Sequence, residues 1–155
     1  MRMLLDVPSG WFVEPLRCGL THYRDPERPA VRILVTSLVP LPADLRGWRM
    51  RELHALVPDE HQLAIVGERS AFSTLGWPLR VIEAECRRRG LTVERWLAVF
   101  YQPQDRIGVA LVRGPRKTDM AAVWELLRAA RPETSGRPAR DVGGGLSGPI
   151  AARRN

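Results

Sequence analysis

The sequence predicts an α+β fold, a mostly antiparallel twisted sheet of about six or seven strands with two helices packed on it. Three observations predict it. Between Gly67 and Val112 lie three apolar runs, Leu79–Cys86, Val93–Tyr101 and Ile107–Val112. Arg89-Gly90 and Pro103-Gln104-Asp105 separate them, and short apolar runs bounded by such residues read as strands joined by hairpins. Two stretches, 43–57 and 119–131, carry apolar residues at helical spacing. At 155 residues and 45% hydrophobic content, the chain suits one domain with a sizeable core.

In chain order, residues 5–14 read as an opening strand interrupted by a Pro8-Ser9-Gly10 turn. Residues 16–24 read as a second strand, with Gly19 marking a bulge or a close backbone approach. Asp25–Pro29 is a turn. Residues 30–39 are rich in β-branched side chains and read as a strand. Pro40-Leu41-Pro42 ends it. Helix 43–57 follows, capped by Asp44 and stopped at Pro58, with Leu45, Met50, Leu53, Leu56 and Val57 on one broad side. A short strand over 62–68 leads into the three-strand meander. Its middle run is apolar on both faces, with Trp96, Ala98 and Phe100 on one and Val93, Leu97, Val99 and Tyr101 on the other. A strand of this kind has to be covered on both sides, by a helix, a second sheet or a partner. Thr118 is placed to cap the second helix, with Met120, Val123, Trp124 and Leu127 as its inner stripe and Pro132 as its stop. The folded domain is expected over 1–132. The tail 133–155, rich in Gly, Pro and Arg, lacks the large apolar side chains that would offset its ordering entropy, so disorder is expected there.

Composition narrows the function classes. No apolar run approaches the roughly 20 residues that span a bilayer, and the apolar stretch at the N-terminus is shorter than the core of a secretory leader. A cytoplasmic location with no membrane insertion is the expectation. Cys18 and Cys86 make no disulfide framework, and Cys86 shares a strand face with Ile82 and Ala84 as a small core residue does. The net charge of +7 comes almost wholly from arginine, since Lys117 is the one lysine. That bias matches codon preference as well as it matches a polyanionic partner, so nucleic acid is not the favoured partner.

No catalytic signature emerges. His54 and His61 are separated by Pro58 and share no helix face, so with Glu60 they make only a weak metal set. Cys18 and His22 lie about 13 Å apart if the segment is a strand, too far for a nucleophile–base pair. Gly143-Gly144-Gly145 follows no strand and precedes no Lys-Ser or Lys-Thr, so it is not a phosphate loop. Glu83 and Glu85 read as solvated or arginine-paired. Trp96 and Trp124 fit core faces. Trp11, Trp48 and Trp77 fit either a core or a binding surface. No enzyme activity, cofactor, metal or small-molecule substrate is expected.

Pro8-Ser9-Gly10-Trp11 resembles the P-x-G-W opening of DcrB-related proteins, whose fold is similar to the PsbP-like α/β sandwich. The resemblance runs over roughly 5–132. It includes the strand at 30–39, the Leu-rich helix, the Gly76-Trp77-Pro78 lead into the meander, and the closing L-L-R-A-A-R-P at Leu126–Pro132. Small cytoplasmic members of that family include the EagR-type chaperones of type VI secretion. The resemblance therefore implies a dimeric adaptor that shelters the transmembrane-like segment of an effector before loading. One sheet face would then be free to act as the groove, with Ile33, Val35, Val93, Leu97, Val99, Val109 and Leu111 as candidate partner-binding residues. Trp96 and Phe100 form the alternative set. A second reading, from a different class, is a basic module that meets nucleic acid or an acidic partner through Arg87–Arg89 and the tail.

Overall fold

The computed structural model describes residues 1–57, 61–88 and 93–133, with the backbone alone of Arg88. Its strands are β1 (Met3–Leu4), β2 (Phe12–Pro15), β3 (Thr21–Arg24), β4 (Arg32–Val35), β5 (Val39–Pro40), β6 (His61–Phe72), β7 (Pro78–Arg88), β8 (Val93–Tyr101), β9 (Arg106–Pro115) and β10 (Arg131–Pro132). The helices are α1 (Leu45–Ala55) and α2 (Met120–Arg128). The main sheet has eight strands in the order β2-β3-β4-β9-β8-β7-β6, with β5 also on β9. β1 and β10 pair separately and bring the two ends of the described chain together. The α+β class and the meander of β7, β8 and β9 are as the sequence predicts.

The middle strand explains the architecture. Trp96, Ala98 and Phe100 are buried with Leu53 of α1, and Trp48, Leu56 and Val57 pack against that cluster. Trp48 meets Phe100 edge-on at 6.1 Å. Leu97, Val99 and Tyr101 face the other way, against Met120, Val123 and Leu127 of α2 and Met3 and Leu5 of the N-terminal segment. Each face of the doubly apolar strand is thus covered from within the chain.

Several elements differ from expectation, each for a local reason. The opening strand 5–14 splits into β1 and β2, in different sheets, because Pro8 accepts a turn bond from the Trp11 N–H and Gly10 turns at φ 95°. Residues 17–19 form a single 3-10 turn instead of strand, with Cys18 at φ 62° and Gly19 at φ 74°. The close approach at Gly19 is to Ser37, whose hydroxyl donates to the Gly19 carbonyl at 3.2 Å and which a Cβ there would strike. Strand 30–39 breaks into β4 and β5. Thr36 spans the break by donating its N–H to the Val109 carbonyl and accepting the Val109 N–H on its hydroxyl, both at 2.9 Å. β6 is longer than the expected 62–68, with 12 residues and a bulge between Ile65 and Gly67; its polar alternation is that of an edge strand. Asp44 caps α1 as expected, accepting from the Gly47 N–H at 3.0 Å. Asp119, not Thr118, caps α2, accepting from the Ala121 N–H at 3.0 Å. The Thr118 hydroxyl donates instead to the Pro115 carbonyl. The Arg89-Gly90 tip, Pro58, and the tail after Glu133 with its Gly143–Gly145 run lie outside the described residues.

Candidate functional site

The residues expected to line a groove do not share a surface. Ile33, Val35, Leu97 and Val99 are buried on the α2 side. Val109 and Leu111 are buried on the α1 side with Trp96 and Phe100. The register explains it: Val99 sits opposite Ala110 and Ala98 opposite Leu111, so Val109 and Leu111 fall on the face away from Leu97 and Val99. Val93 alone of the seven is half-buried, at the end of β8. The other six are parts of the two cores under the chain's own helices. The sequence pattern is sound for burial but silent about what covers it.

The exposed apolar side chains lie elsewhere. Among the described residues, β6 pairs with β7 alone, and past His61 its other edge carries no strand among them. Val66, at the bulge, is 61% exposed and Phe72, at the strand's end, 67%. Ile65 is also exposed, and Leu75 in the connection to β7 is 56% exposed. That connection is firmly built. Ser73 accepts on its hydroxyl from the N–H groups of Leu75 and Trp77, at 3.2 and 3.1 Å. Thr74 donates its N–H to the Arg128 carbonyl at the end of α2, at 2.9 Å. Leu75 is therefore held outward on a hydrogen-bonded turn. Between the two apolar points, Glu68 pairs with Arg80 at 2.7 Å, and Arg69 stacks over Trp124 with its guanidinium 4.6 Å from the ring. Burial, then the neighbouring Arg80 charge, lowers the pKa of Arg49 below the ordinary arginine value.

Other expected features resolve simply. Glu83 pairs with Arg95 and Glu85 with Arg116. Cys86 is buried and Cys18 exposed, both as free thiols. Trp11, Trp48 and Trp77 are half-buried against the two cores. Among the described residues, no group of three or more His, Cys, Asp or Glu is placed to hold a metal ion; Glu60, expected with His54 and His61, is outside them. No described helix is long and apolar enough to cross a membrane.

No family model matches the sequence, and no curated protein sequence matches it. The solved structures do. The solution structure of cyanobacterial PsbP (CyanoP) from Synechocystis aligns at a TM-score of 0.63 and 13% identity, over 84% of this chain and 91% of that one. The fold is PsbP-like. A Pseudomonas aeruginosa protein of unknown function aligns with this chain at a TM-score of 0.56 and 12% identity, over 87% of this chain and 100% of the other. A Bacteroides thetaiotaomicron structure gives 0.56 and 13%, with 87% of this chain spanning 46% of that protein. At such identities the likeness is one of fold, on which many functions are built.

Proposed function

We propose that this chain is a non-catalytic adaptor or chaperone that holds an apolar segment of another protein. The observation that carries the reading is the edge of β6 with no strand neighbour among the described residues, flanked by exposed Ile65 and Val66 at its mid-strand bulge and by Phe72 and Leu75 at its C-terminal end. An unpaired edge supplies main-chain hydrogen bonds to an incoming segment, and outward apolar side chains supply the contact area. The groove first expected around Leu97 and Val99 is filled by α2, so the contact is assigned to β6 instead. In its finer form the reading names the partner. The Pro8–Trp11 opening and the PsbP-like fold support an EagR-type role, in which a cytoplasmic dimer shelters the transmembrane-like segment of an effector before loading on a type VI secretion apparatus.

The test uses the full chain and an apolar peptide of about 20 residues, the length of a transmembrane segment. The peptide stays in solution with the wild-type chain, and size-exclusion light scattering reads a complex. With Val66→Asp and Phe72→Asp, both at exposed positions, the peptide precipitates while circular dichroism is unchanged. Equal precipitation with and without the wild-type chain overturns the reading.

A further inference from the structure

The sheet register assembles a feature that residues distant in the sequence do not reveal. Arg24 lies opposite Arg32, and Arg32 opposite Arg113, on the adjacent strands β3, β4 and β9. Directly opposed residues point to the same face, so the three arginines stand abreast at the strand spacing of about 4.8 Å. The row continues on both sides with aromatics, Phe12 opposite Arg24 and Trp96 opposite Arg113. The outer arginines lie over those rings, Arg24 at 5.2 Å from the Phe12 centroid and Arg113 at 5.1 Å from the Trp96 centroid. Arg113 is neutralised by Glu94 at 3.0 Å. Among the described residues, neither Arg24 nor Arg32 has a carboxylate partner, and Arg32 is exposed. Like charges directly opposed across strands destabilise a sheet. The fold tolerates that repulsion here with the central charge left open to solvent.

The same end of the sheet also has a cavity of about 640 Å³ lined in part by Glu94, the partner of Arg113, with Arg87 and Val93 of its wall on the face opposite the row. Its walls include Arg87 from the end of β7 and Arg116 and Lys117 from the turn after β9, with Ala30 from the turn before β4. Arg116 faces Glu85 at 3.8 Å, whereas Arg87 and Lys117 have no carboxylate partner among the described residues. The same end of the sheet thus carries Arg24, Arg32, Arg87 and Lys117 as uncompensated cations. We propose that this end of the sheet binds the phosphate backbone of a single-stranded nucleic acid. Arg24 and Arg32, the members of the row without a carboxylate partner among the described residues, contact the phosphates. Phe12, 55% exposed at the end of the row, offers the ring on which a base stacks. That ring is what favours a nucleic acid over an acidic peptide, whose side chains have no stacking face. The inference is independent of the adaptor reading, which uses the opposite edge of the sheet.

The experiment is fluorescence anisotropy of the full chain with a labelled oligothymidylate of about 16 nucleotides, a length within the range one such domain covers. Binding at roughly 50 mM salt weakens more than tenfold by roughly 200 mM. Arg24→Gln with Arg32→Gln lowers affinity at least tenfold at low salt and flattens the log–log salt slope by about 1.4, at about 0.7 per phosphate contact. Arg32→Thr alone weakens binding yet raises the thermal midpoint by about 1–4 °C, because it removes the like-charge opposition; a purely structural arginine would lower it. A control with Arg137, Arg140, Arg153 and Arg154 changed to Gln retains the effect of the row. Three results overturn the proposal: no binding at low salt, a row variant whose affinity and slope match the wild type, or full displacement by inorganic pyrophosphate at equal charge concentration.

Discussion

Burial sets the chemistry of single residues in this fold. Cys86 sits in the α1-side core, and burial, reinforced by the nearby Glu94, raises its thiol pKa above the usual value. Tyr101 is buried on the other face, and desolvation raises its phenol well above the ordinary range. Its hydroxyl donates to the Leu127 carbonyl at 2.8 Å. Both shifts have the same linkage sign. In the unfolded chain these groups lose protons at about pH 8.5 and about pH 10, while the folded chain holds them. The unfolded state therefore binds fewer protons there, and stability falls as pH rises through that window. Urea midpoints measured from pH 7 to pH 10.5 decline, with the decline shallower above pH 9.5 in Tyr101→Phe; a flat profile would contradict the assignment. A thiol reagent at pH 8 labels exposed Cys18 rapidly and Cys86 only after denaturation. Half-buried Thr36 matters instead through its hydrogen bond across the break between β4 and β5. Thr36→Val keeps the shape but strips the Val109 N–H of its acceptor. It costs about 1–3 kcal/mol by urea denaturation.

At the scale of elements, α1 and α2 do unequal work. α2 sets Met120, Val123 and Leu127 at i, i+3 and i+7 into the larger core. α1 fully buries only Leu53. Leu53→Ala accordingly costs about 2–3 kcal/mol and Leu127→Ala about 3–5 kcal/mol, the latter site having less freedom to collapse. Paired denaturation curves check the order, and a larger loss at Leu53 would reverse it. The strands of the meander and both helices were legible because their signal is periodic and local: β8 matches Val93–Tyr101 end for end. The ends of β1, β4 and β6 were not, because they depend on partners remote in sequence, such as Thr36 on Val109. The candidate groove failed for a related reason. Alternation tells which residues share a face of one strand, but Val109 joins the face of Phe100 only through an inter-strand register that no single strand encodes. Nothing in the pattern of β6 separated an edge strand from a short connector. Its exposed Val66 and Phe72 acquire meaning only once β6 is seen to have a single strand neighbour among the described residues.

Charge decides the behaviour of the molecule as a whole. The chain carries a net +7 at pH 7. Its ion pairs, among them Arg128–Glu125, Arg80–Glu68 and Arg131–Asp6, involve side chains that remain substantially open to solvent. Pairs of that kind contribute about 0–1 kcal/mol each. Against them stand the opposed Arg24, Arg32 and Arg113 and the surplus positive field, which favours expansion of the compact state. Salt weakens both, but the attractive pairs lie in contact, whereas the surplus positive charge acts across the molecule at separations beyond the Debye length of about 10 Å at 0.1 M. Screening therefore removes more repulsion than attraction. The thermal midpoint is expected to rise by a few degrees between about 10 mM and about 150 mM sodium chloride, and the rise to shrink in Arg24→Gln with Arg32→Gln. A midpoint that fell with salt would mean that the ion pairs outweigh the excess charge. The arginine row would then be a minor electrostatic feature of the sheet and not a reserve of repulsion that a polyanion relieves.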